Sequence, residues 1–80
     1  MVEAREADRM RWACRRGLLE LDLVLQRFMD RHLDTLDAQQ IEMFKELLDF
    51  ADNDLLDMVM GRAEPADERL SVVLEMLRTV

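Results

Sequence analysis

Apolar residues recur along this whole chain at the three-and-four spacing of an α-helix, and only Gly17, Gly61 and Pro65 punctuate that rhythm with glycine or proline. No stretch keeps the strict alternation of a half-buried strand. Half of the 80 residues are apolar and 5% are aromatic. That is too apolar for a disordered chain and too poor in turn-formers and β-branched residues for a sandwich. The expected fold is therefore all-α: one small domain over residues 1–80, a bundle of about five helices.

The pattern places the helices in order. The first covers about residues 3–16, with Ala7, Met10 and Cys14 on one stripe and Gly17 as a stop or bend. The second, about 18–33, carries Leu18, Leu21, Leu25, Phe28 and Met29 on one stripe. Leu19 and Leu23 fall well off that stripe, which predicts a helix central in the bundle. The third has a capping-box start, with Asp37 as cap, Gln40 three residues on, and Leu36 and Ile41 spaced as a hydrophobic staple. A short fourth helix is expected with Asp52 as its cap and Gly61 at its end. For the last helix Pro65 suits the first position, and Asp67 is the alternative, later cap. Leu70, Val73, Leu74 and Leu77 supply its core face.

Charge narrows the function. The net charge is −7, yet Arg5, Arg9, Arg11, Arg15 and Arg16 outweigh Glu3, Glu6 and Asp8 in residues 1–16. The remaining body is strongly acidic and repels phosphates, which opposes nucleic-acid binding. The arginine-rich start suits an acidic patch on a protein partner instead. No apolar run approaches the ~18 residues of a membrane span, and no targeting segment is evident, so the expected location is cytoplasmic.

Catalytic groups are scarce: one histidine, one cysteine, one lysine, one serine and no tyrosine. His32, Cys14 and Ser71 fall on three different helices, with no nucleophile–base spacing and no glycine-rich phosphate loop, so the chain reads as a non-enzyme. Cys14 reads as a buried thiol, and His32 as a histidine near a helix end. The Asp52-Asn53-Asp54 run resembles the start of a calcium loop, but the sixth position is Asp57 and the twelfth Ala63, so no metal site is expected. The seven methionines read as core gap-fillers.

The stretch Arg15-Arg16-Gly17-Leu18-Leu19-Glu20 holds what remains. A glycine inside a helix costs about 1 kcal/mol relative to alanine, so backbone direction or close approach must favour Gly17. If helical phase continues through it, Arg9, Arg16 and Glu20 share one face with Trp12 beside them. Tryptophan and arginines on one face have the composition of a binding hot spot. The plainer reading is an Arg16–Glu20 helix pair worth about 0.2–0.5 kcal/mol, with Trp12 folded under a neighbouring helix.

Residues Trp12 to Asp22 closely resemble the signature of the bacterial SdhE-like proteins, succinate dehydrogenase assembly factors that promote covalent FAD attachment. Their Arg-Gly-x-x-Glu motif is matched by Arg16, Gly17, Leu18, Leu19 and Glu20. Phe28, Leu47-Leu48, Asp52 to Leu55 and Gly61 to Asp67 also fall where that pattern places them, so the likeness spans nearly the whole chain. Met58 departs from it, standing where many members have tryptophan.

The resemblance implies a five-helix bundle whose partner is the flavoprotein subunit of succinate dehydrogenase, with the related fumarate reductase a further candidate. It implies a contact face of Arg16, Gly17 and Glu20 with Arg9 adjoining and Trp12 carried over. It further implies no stably bound cofactor, the FAD being the partner's, and an action that is conformational. The competing readings are a nucleic-acid-associated regulator using the Arg-rich helix and a free-FAD carrier.

Overall fold

The computed structural model describes residues 4–80 as a bundle of five α-helices. They are α1 (Ala4–Ala13), α2 (Leu19–His32), α3 (Ala38–Leu48), α4 (Asp52–Val59) and α5 (Ser71–Arg78). Short 3-10 turns at Leu33–Thr35 and Glu68–Leu70 follow α2 and precede α5. The expected start of the first helix at residue 3 lies outside the described residues.

The periodic apolar residues explain the packing. Leu21, Leu25, Phe28 and Met29 of α2 meet Phe44 and Leu47 of α3, Leu55 of α4, and Val73, Leu74 and Leu77 of α5 in one buried core. The rings of Phe28 and Phe44 lie 4.6 Å apart at its centre, in a tilted arrangement that favours aromatic pairs. Helix α5 touches α2, α3 and α4, and α2, expected to be central, also meets α4 and α5 and reaches α3 through the Phe28–Phe44 pair. The off-stripe leucines of α2 are not a second core face. Leu19 is 74% exposed and Leu23 46%. Helix α1 rides on the outside, anchored by buried Met10 and by Cys14 just beyond its end. Ion pairs Arg11–Asp30 to α2 and Lys45–Glu6 to α3 secure it further.

Helix ends follow from local chemistry with two exceptions. Asp37 and Gln40 form the expected reciprocal capping box of α3, with the Asp37 carboxylate accepting the Gln40 N–H at 2.8 Å. Gly61, at φ +81°, closes α4 in a Schellman motif: the Arg62 N–H reaches the Asp57 carbonyl at 2.8 Å and the Gly61 N–H the Met58 carbonyl at 3.2 Å. Asp52, expected as the α4 cap, is instead its first residue. Ala51 holds the cap position without a side-chain bond, because the Asp52 carboxylate faces an arginine. Pro65 does not open the last helix either. The later alternative is realised: Asp67 accepts the Arg69 N–H at 3.0 Å and starts the 3-10 turn that leads into α5.

Candidate functional site

The Arg-Gly stretch is a loop between α1 and α2, and helical phase does not cross it. Helix α1 ends at Ala13, and Gly17 has φ +84°, in the left-handed region that favours glycine. The shared face predicted for Arg9, Arg16 and Glu20 therefore does not form by helical phase. The Arg16–Glu20 pair is absent as well.

Arg16 turns inward instead. Its side chain is only 13% exposed, and its Nε donates to the Asp52 carboxylate. Its Nη1 donates to the Leu48 carbonyl at 2.8 Å and Nη2 to the Phe50 carbonyl at 2.6 Å. The guanidinium thus sits at the C-terminal end of α3, where carbonyls lack helical partners and a cation is favoured. Arg78 does the same for α4, its Nε donating to the Met58 carbonyl at 2.9 Å. Beside Arg16, the carboxylate of half-buried Asp22 accepts the Arg16 N–H at 2.8 Å and the Gly17 N–H at 3.2 Å. Asp22 lies in the first turn of α2, so the loop is fastened to both its flanking helix and the α3–α4 corner.

The outer side of this loop is open. Gly17 is exposed, and a Cβ built on it would meet nothing within 4 Å. The glycine therefore serves backbone direction within this chain, not close packing. Glu20 is exposed in the first turn of α2 and, among the described residues, forms no ion pair; Leu19 projects beside it in sequence. Trp12 is 71% exposed, not folded under a helix, and the Arg15 guanidinium stacks over its ring at 5.1 Å. Arg9 is exposed on the rim of a groove of about 720 Å³ between α1 and α3, together with Arg5, Met10, Lys45, Leu48 and Asp49. Trp12 lines a separate, smaller depression with Asp8, Arg11 and Arg15. The structure thus brings Gly17, Leu19 and Glu20 together in one exposed segment, sets Trp12 at the end of the preceding helix, and places Arg9 on a groove whose lining includes Ala13 and Leu48, the two residues whose carbonyls Arg16 Nη1 contacts. Sequence reasoning missed Asp22, Asp52 and the exposed leucines. Only the off-stripe position of Leu19 and Leu23 signalled any of them.

Cys14 is buried, and burial pushes its thiol up to about 12 against the opposing pull of Arg16 and Arg11. It stays a neutral thiol at physiological pH and offers no nucleophile. Among the described residues no three His, Cys, Asp or Glu side chains are grouped to hold a metal ion. No helix among them is long and apolar enough to cross a membrane.

The family model described as flavinator of succinate dehydrogenase matches residues 8–80, the segment that carries this loop and every helix of the core. The chain belongs to this family. It is 44% identical to the FAD assembly factor SdhE of Legionella pneumophila (strain Lens) over 72 residues, covering 90% of this chain and 91% of that protein. It is 33% identical to the FAD assembly factor SdhE of Coxiella burnetii over 78 residues, covering 98% of this chain and 95% of that one. The fold matches the solution structure of a UPF0350 protein with a TM-score of 0.80 at 35% identity, covering 98% of this chain and 83% of the other. The fold of this chain is thus shared with that solved protein over nearly its whole length.

Proposed function

We propose that this chain is an FAD assembly factor: it binds the flavoprotein subunit of succinate dehydrogenase in the cytoplasm before the flavin is joined to it, and promotes that joining. It contributes no reacting group and no resident cofactor. The flavin and the residue that receives it both belong to the partner. What this chain supplies is a rigid surface that favours the partner conformation in which the attachment proceeds.

One observation carries the reading. The Arg16–Gly17 start of the Arg-Gly-x-x-Glu motif lies in a loop fastened from within yet empty outside, with Gly17 exposed and open space where a side chain would stand. A partner's main chain can approach the backbone there, with Glu20 and Leu19 on one side and the Trp12–Arg15 stack at the end of the preceding helix. In the Arg-rich stretch Arg11 and Arg16 are already paired with Asp30 and Asp52, which weakens the nucleic-acid reading.

The test separates obstruction from strain. A residue other than glycine, Asn or Asp at position 17 is strained by about 1–2 kcal/mol whatever its size. Gly17→Asn, which tolerates the left-handed region, is expected to keep most flavin attachment, while Gly17→Arg abolishes it with the helical circular dichroism intact. In-gel flavin fluorescence of the co-expressed subunit reads the outcome, with a fumarate reductase flavoprotein as a parallel arm. Full attachment with Gly17→Arg overturns the contact model. Glu20→Ala is expected to lower affinity without a matching fall in Tm. Equal losses would return Glu20 to a purely structural role.

A further inference from the structure

The arginine of the Arg-Gly-x-x-Glu motif is also the member of that motif with the least free surface. Two of its nitrogens bind carbonyls at the end of α3, and a third faces Asp52, 36 positions away in sequence. The Ala13 carbonyl lies 3.4 Å from Nη1 as a further, long contact. Its own backbone N–H and that of Gly17 are held by Asp22. Arg16 is therefore the knot at which α1, α2 and the α3–α4 corner are tied.

We propose that Arg16, Asp22 and Asp52 form a positioning clamp that presets the Gly17 loop for docking, and that Arg16 serves the partner through this clamp and not by touching it. The inference rests on the assembly-factor reading above and adds two carboxylates to the functional set. A loop that is already ordered loses less conformational entropy when a partner seats on it, and that saving appears as affinity. Chemistry fits the residue types. The planar guanidinium fork reaches two carbonyls and a carboxylate at once, which a lysine ammonium on a flexible stem does not reproduce. A carboxylate at Asp22 offers two oxygens to two amides, whereas an asparagine offers one.

The sign of one substitution separates clamp from contact. If Arg16 contacts the partner, Asp52→Ala frees its guanidinium, and binding stays unchanged or tightens. In the clamp, Asp52→Ala loosens the loop and weakens binding. Calorimetric titration of the unflavinylated flavoprotein subunit with the purified full chain measures this, alongside amide hydrogen exchange in the chain alone. Asp52→Ala, Asp22→Ala and Arg16→Lys are each expected to lower affinity by about tenfold, the equivalent of ~1.4 kcal/mol. Exchange at the Arg16 and Gly17 amides should quicken in each. Asp52→Asn, which keeps an acceptor for Nε, and Asp22→Asn, which keeps one oxygen, should fall between these and the wild type. Faster exchange confined to these loop amides, with the amides of the α2, α3 and α5 core unchanged, is what general destabilisation would not produce. If Asp52→Ala fails to fold, the Asp22 pair decides. Unchanged or tighter binding by Asp52→Ala, or unchanged exchange at both amides, overturns the clamp while leaving the assembly-factor reading standing. A wild-type chain that does not bind the subunit at all overturns both.

Discussion

Cys14 shows how a residue's surroundings decide whether its chemistry is available. At 1% exposure its thiol is held neutral up to about 12, from an ordinary value of 9.0. The unfolded chain gives up this proton first, so between about pH 9 and pH 12 the folded state holds more protons than the unfolded one, and stability falls as pH rises through that window. The native protein should resist alkylation by iodoacetamide at pH 8 and react only after denaturation. Rapid native-state labelling followed by mass spectrometry would contradict the burial. Buried cysteine was legible from its place on the Ala7–Met10–Cys14 stripe. Arg16 was not. Its partners Leu48, Phe50 and Asp52 are 32 to 36 residues away, and nothing local in the sequence distinguishes an arginine that folds inward from one that faces solvent. Gly17 was legible as a required glycine, although the reason is its left-handed backbone and not a neighbour that excludes a Cβ.

At the scale of the element, sequence signals succeeded where an end is made by residues close in sequence. The Asp37–Gln40 box and the Gly61 stop are of this kind. They failed at Asp52, whose carboxylate is claimed by a tertiary partner, and at Pro65, which suits the start of a helix that begins later. Gly61→Ala should cost about 1 kcal/mol from the left-handed backbone alone, since open space surrounds the site. A urea titration measures it, with Gly61→Asn expected to cost less. Asp67 gives a pH-dependent counterpart. Hydrogen bonds from the Arg69 side chain and amide hold its carboxyl below the usual value. A lowered folded value means that its contribution is fully present above about pH 4, the unfolded value, and is lost as pH falls through the lower folded one. Carboxyl carbon shifts in an NMR titration should place the Asp67 midpoint below those of exposed aspartates. A midpoint at or above them would remove this capping pair from the account of the α5 start.

For the whole molecule, the decisive division is between apolar residues that hold the bundle together and apolar residues left outside it. An 80-residue domain has a total stability of roughly 4–12 kcal/mol. Phe28 is fully buried between the Phe44 ring and His32, at 4.6 and 5.3 Å between centroids. Phe28→Ala should cost about 3–5 kcal/mol by removing that surface and leaving a cavity, which takes much or all of the margin. Helix spacing alone assigned Leu19, Leu23 and Phe28 to one central helix, because periodicity records which positions are apolar but not which of two apolar faces finds a neighbour. Helix α2 does pack against α4 and α5 and, through Phe28, against α3, but by its one stripe alone, and Leu19 and Leu23 stayed outside. Leu19→Ser with Leu23→Ser should therefore cost only about 1 kcal/mol by urea denaturation, the sum of two surface changes of ~0.5 kcal/mol each. If these leucines help seat the flavoprotein subunit beside Gly17, the same double variant loses affinity while losing no more stability than this. A loss of stability comparable to that of Phe28→Ala would mean that both leucines are packed after all, and the outward face of α2 would no longer serve as a docking surface.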